Sequence, residues 1–197
     1  ASYGLGSLNA NLPSFVVLVA QPTNREQLQA ISGRLWSSGY LPGKHAGVSF
    51  RSQGDPILYI NNPPGVPTEL RRETLNAVSQ LNQIQHQAIG DPETATRIEQ
   101  YEMAYRMQTS VPELTDLSQE SQSTLDLYGD AALQPGTFAN SALLARRLSE
   151  RGVRFVQVYY VDKGKQPWDT HRDNNGGHRR LCADSDRATA KTPGSRG

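Results

Sequence analysis

At 197 residues, with a formal net charge of +1, the chain is long enough for one domain with its own core and too short for two full ones. Its 20 lysines and arginines are spread along the sequence without forming a basic stripe, which excludes nucleic acid as the expected partner. The single cysteine, Cys182, excludes an internal disulfide or a multi-cysteine metal cage, and no apolar run approaches the roughly 20 residues that cross a bilayer, so no membrane is expected either.

Taken in chain order, Tyr3-Gly4-Leu5-Gly6-Ser7 reads as a glycine-rich turn. Residues 14–19 are β-branched, aromatic and apolar on both faces, which predicts a central strand of a parallel sheet. Glycines and prolines crowd residues 36–67 and predict a long ordered loop, strand-like only at 56–60, whose Trp36, Tyr40 and His45 are expected to wall a site. Thr68 is expected to cap a helix reaching about residue 88, with Leu70, Ala77, Val78, Leu81 and Ile84 near one face. Asp91-Pro92-Glu93 opens another helix, which Pro112 is expected to end. A shorter helix is predicted over 118–128, stopped by Gly129, and a stronger one over 138–150, stopped by Gly152.

Residues 153–161 then form the best strand pattern in the chain. A helix running directly into such a strand predicts an α/β fold with a partly parallel sheet flanked by helices. On this reading residues 1–190 form a single α/β unit, the helices at about 68–128 are an inserted layer, and 191–197 are an unstructured tail. Cys182 reads as a buried apolar thiol, His86 as a solvated surface histidine, and Arg146-Arg147 as an exposed helix face with one stem packed.

The densest set of potential metal ligands follows that strand, in residues 162–178. Open α/β sheets bind ligands beyond the carboxyl ends of their strands, and this loop leaves such an end. In an extended loop, residues two apart point to the same side, so Asp169 and His171 can share one divalent ion. Asp162, Asp173 or His178 could supply a third ligand, and mixed oxygen and nitrogen donors suit zinc or manganese, or calcium where carboxylates dominate. The same residues equally suit a polar loop that caps a helix. A serine triad is not expected, because no Gly-x-Ser-x-Gly elbow follows a strand.

Several longer strings resemble the bacterial sulfatase-like family called domain of unknown function 1501, within the alkaline-phosphatase superfamily. The similarity is carried by Tyr3-Gly4-Leu5-Gly6-Ser7, Trp36-Ser37-Ser38-Gly39-Tyr40-Leu41-Pro42, the run from Leu144 to Val158, Trp168-Asp169-Thr170-His171 and Ala183-Asp184-Ser185-Asp186-Arg187-Ala188. The resemblance implies an alkaline-phosphatase-like sheet with metal ions at its strand ends, and Asp169, His171 and, less directly, His178 as metal ligands. It implies hydrolysis of phosphate or sulfate esters; for a metal-dependent hydrolase of small-molecule esters the sequence leaves carboxylic esters and lactones open as well.

The family's Gly-Gly-Pro-Ser turn would precede Ala1 and its Gly-Glu-Phe-Gly-Arg segment would follow Ala190, so the expected object is an internal, incomplete piece of the fold. A metal-bound water is then the expected nucleophile, with His178 or Arg172 steadying the developing anion. The resemblance also implies a periplasmic or secreted location if a leader is removed. Unpaired strand surface predicts self-association. The competing expectation is a non-catalytic binding domain that uses the loop at 36–67 and needs no metal.

Overall fold

The computed structural model describes residues 2–20, 31–51, 56–57, 61–161 and 167–190. Among them are three strands and six α-helices, a mixed α/β arrangement around a small parallel sheet. Strand β1 (Phe15–Ala20) lies in the middle, hydrogen-bonded in parallel to β2 (Val48–Phe50) on one side and β3 (Phe155–Tyr160) on the other. Val16 sits opposite Val48 across one ladder and Val156 across the other.

The alternation of side chains across β1 sorts its residues between two faces. Val16 and Leu18 join Phe50, Met107, Val111, Leu114 and Leu148 in the larger buried cluster. On the other face Phe15 stacks on Phe155 at 4.8 Å, and Trp36 approaches Tyr159 at 5.9 Å. The central strand is buried throughout its middle, as a two-sided apolar run requires. Strand β3 has a similar composition but is half-exposed, because no described strand pairs with its outer edge.

Helix α1 (Ser2–Leu5) replaces the expected glycine-rich turn and ends at Gly6, whose φ of 63° suits a residue without a Cβ. The second strand lies at Val48–Phe50, earlier than the expected 56–60, of which residues 58–60 fall outside the described set. Gly47 permits that position: a Cβ there would come within 2.8 Å of the Phe15 ring.

Between β2 and β3 the chain builds α2 (Thr68–Ile89), α3 (Pro92–Thr115), α4 (Gln122–Tyr128) and α5 (Phe138–Glu150). Thr68 is the first residue of α2 and not its cap; Pro67 stands at the cap and its carbonyl accepts from the Arg71 N–H at 3.0 Å. Pro112 does not end α3, which runs one further turn to Thr115. Val111 and Leu114, both fully buried, hold that turn on the core, and the Asp116 N–H closes it on the Pro112 carbonyl at 3.0 Å.

Helix α4 starts later than expected, at Gln122, with the Ser121 hydroxyl accepting from the Thr124 N–H. The preceding segment turns at Glu120 and sends that carboxylate to α5. Helix α5 follows its sequence signals closely: the Thr137 side chain caps its start and Gly152, at φ 85°, follows its end. It also bridges two cores, with Leu148 in the sheet cluster and Leu143 among Tyr128, Ala132 and Ala188 in a second one.

Arg146 and Arg147 correct the sequence reading, since both are largely buried. Their guanidinium groups reach Glu120 at 2.6 and 2.5 Å, and Arg147 also donates to the Glu113 carbonyl at 3.0 Å. Cys182, expected inside, is exposed on α6 (Asn174–Thr189), whose buried residues are Gly177, Leu181 and Ala188. His86, expected to be solvated, is half-buried, and its Nδ1 lies 2.8 Å from the Asp91 carbonyl. The tail at 191–197 lies outside the described residues.

Candidate metal centre

The segment beyond the carboxyl end of β3 is held by aromatic packing. Trp168 lies 6.0 Å from the Tyr160 ring at the end of the strand and 5.8 Å from the His178 ring on α6, while Phe138 of α5 backs Tyr160 at 5.3 Å. The Tyr160 hydroxyl donates to Asp184 of α6, tying strand to helix. With its tryptophan anchored, the loop presents Asp169 and His171 to solvent.

Helix α6 begins at Asn174, within the span of candidate ligands. The Asp173 carboxylate accepts the Gly176 N–H at 2.9 Å, so Asp173 serves as the helix cap and not as a ligand in this arrangement. Gly177 is buried directly beneath the loop, where any Cβ would overlap the Thr170 side chain. Two glycines in the first turn thus let the loop fold back onto the helix.

Asp169 Oδ1 and His171 Nδ1 lie 3.0 Å apart. That is the distance of a direct ion pair or hydrogen bond, and donors bonded to one ion at roughly 2.1 Å and separated by about 90–110° would stand at a similar separation of about 3.0–3.4 Å. His178 is not brought to them: its Nε2 lies 2.8 Å from the Trp168 carbonyl, which orients the ring and occupies that nitrogen. Asp162 lies outside the described residues. Among the described residues no group of three or more His, Cys, Asp or Glu side chains converges at ligand distance. The described residues thus supply two donors for such an ion and no third.

A second concavity lies at the opposite end of the strands. A cavity of about 600 Å³ is bounded by Ser14 and Val48 at the amino ends of β1 and β2, Arg71 and Leu75 of α2, and Met103 and Met107 of α3. His45, from the loop that the sequence singles out, also lines it and stands edge-on to Tyr3 at 5.2 Å. Arg71 Nε is buried with no hydrogen-bond partner. Sequence reasoning expected the loop at 36–67 to wall a site but not this cavity, whose walls come from six separated segments. Trp36 contributes to sheet packing instead, and Tyr40 is almost fully exposed.

The fold and the loop beyond β3 define a mixed α/β protein with a parallel sheet and a candidate ligand pair past a strand end. The family described as "Protein of unknown function (DUF1501)" matches residues 1–192, and the chain belongs to that family. No curated protein and no solved structure matches it.

Proposed function

We propose that the chain carries part of a metal-dependent ester hydrolase of the alkaline-phosphatase and sulfatase type, acting on small phosphate or sulfate esters, with carboxylic esters and lactones as further substrates. The observation that carries this reading is the 3.0 Å approach of Asp169 Oδ1 to His171 Nδ1 on an exposed loop past the carboxyl end of a parallel strand. The resemblance of its residue strings to a sulfatase-like family supports it. Asp169 and His171 would hold zinc, manganese or calcium as two of its ligands. Such an ion, when bound, supplies Lewis acidity toward an ester and its attacking water.

The protein's own groups have separable tasks. Trp168, packed between Tyr160 and His178, fixes the loop so that the two donors stay together. The Trp168 carbonyl in turn fixes the His178 ring, which makes His178 a positioning residue in this arrangement and a less direct ligand than the sequence suggests. Arg172 is exposed beside the pair and supplies positive charge for an anionic substrate.

Purified protein titrated with each metal, before and after a chelator, tests this reading by direct metal analysis and by the midpoint of thermal unfolding. The expected result is stoichiometric binding that disappears in the Asp169→Ala, His171→Ala double variant, with metal-dependent cleavage of a nitrophenyl phosphate, sulfate or acetate. Stoichiometric binding retained by the double variant would overturn the assignment.

The 600 Å³ cavity favours a second reading, a non-catalytic binding domain. It predicts ligand-dependent stabilisation that Met103→Trp abolishes and that a chelator leaves untouched.

A further inference from the structure

Helix α2 is inverted relative to its own pattern. The less exposed positions of the helix are Arg71, Arg72, Leu75, Val78, Ser79, Asn82 and His86, and Arg72 forms a two-pronged pair with Glu102 of α3 at 3.0 Å. The apolar stripe points the other way. Leu70, Leu81 and Ile84 are 50%, 66% and 64% exposed, and Thr74, Ala77 and Ala88 between and beyond them are exposed as well. Read as Leu70, Thr74, Ala77, Leu81, Ile84 and Ala88, the stripe advances by four, three, four, three and four residues. That alternation is the seam of a two-helix coiled coil, along a 22-residue helix about 33 Å long.

We propose that this seam pairs with the same seam of a second copy of the chain, the two α2 helices running antiparallel. The choice of occupant rests on the seam being complementary to itself when reversed. Centred on residue 79, an antiparallel pair sets Leu70 against Ala88, Thr74 against Ile84 and Ala77 against Leu81, each contact occurring twice by symmetry. Every layer joins a larger side chain to a smaller one, as close packing between helices requires.

The flanking positions agree. Arg71 meets Gln85 and Glu73 meets Gln87, while Val78 and Gln80 each meet their own copy across the two-fold axis, so no like charges face each other. Glu73, Gln80, Gln85 and Gln87 are exposed, while Arg71, which also lines the cavity, and Val78 are half-buried at the edge of the seam. A parallel pair would instead stack alanine on alanine at two layers and threonine on threonine at a third, leaving voids. The self-complementary register therefore selects both a second copy and its direction.

Sedimentation of the full chain, combined with single-cysteine cross-linking in a Cys182→Ser background, tests this. The expected result is a concentration-dependent dimer in which Gln80→Cys forms a disulfide-linked dimer under mild oxidation, whereas Leu81→Cys and Gln87→Cys do not. Leu81→Glu with Ile84→Glu should weaken dimerisation at least tenfold while leaving the circular dichroism spectrum unchanged, since neither side chain contributes to the monomer core. A strict monomer at high concentration, a dimer indifferent to the double charge substitution, or linkage through Leu81→Cys but not Gln80→Cys would each overturn the proposal.

Discussion

Glu120 is the residue on which the most buried charge depends. Its carboxylate receives Arg146 at 2.6 Å and Arg147 at 2.5 Å, with side chains 10%, 19% and 7% exposed respectively. Burial pushes its pKa up, but the hydrogen bonds and charges of the two arginines together outweigh burial and hold it below the ordinary 4.5. A carboxylate depressed in the folded state contributes stability above its unfolded pKa, and that contribution is lost as pH falls through the lower folded value. Glu120→Gln leaves Arg146 with Glu150 and Arg147 with the Glu113 carbonyl but removes the charge they share, so a loss of about 2–3 kcal/mol is expected near neutrality. The gap from the parent should narrow below about pH 4.5, which denaturant titrations across pH would register. A gap that widens on acidification would contradict the assignment.

Gly177 supplies a second residue-scale expectation. Replacing a helical glycine by alanine ordinarily stabilises by about 1 kcal/mol. Here the sign should reverse, because the new Cβ would overlap Thr170. Combining Gly177→Ala with Thr170→Gly should recover stability, and a double-mutant cycle should give a coupling of about 1 kcal/mol or more.

Among the elements, α3 sets two opposing costs against each other. A proline inside a helix costs about 3 kcal/mol by removing a hydrogen bond and crowding the preceding turn, whereas its restriction of the unfolded chain returns about 1 kcal/mol. Pro112 opens the last turn of α3, which burial of Val111 and Leu114 preserves. Pro112→Ala should therefore stabilise the protein by about 1–2 kcal/mol, read from the denaturant midpoint at unchanged slope. A destabilised variant would mean that the proline's rigidity outweighs the lost hydrogen bond. Side chains cap the later helices at Ser121, Thr137 and Asp173, and the sequence reading, which begins α4 at 118 and offers Asp173 as a ligand, names none of the three as a cap.

For the whole molecule, α5 is the shared wall of two apolar clusters. Leu148 belongs to the one beneath the sheet and Leu143 to the one formed with α4 and α6, and both are fully buried. Truncating either to alanine should cost about 2–5 kcal/mol. Because one helix carries both, each substitution should lower a single unfolding transition observed by far- and near-ultraviolet circular dichroism. Two separated transitions in either variant would show that the clusters melt independently.

Strand β1, helix α5 and the turn into β3 were readable from residues alone, because each rests on local chemistry: a run of β-branched apolar residues, a helical stretch, and the glycine that stops it. The Asp169 and His171 pair was legible for the same reason, being two residues apart in one loop past a strand end. Tertiary structure alone decided what lay between distant segments. It turned the apolar stripe of α2 outward, drew Arg146 and Arg147 inside to meet Glu120, left Cys182 in solvent, carried α3 past its proline and engaged His178 with the Trp168 carbonyl. Periodicity states which side of a helix is apolar, but which side is buried depends on the partners that close packing and charge pairing bring to it.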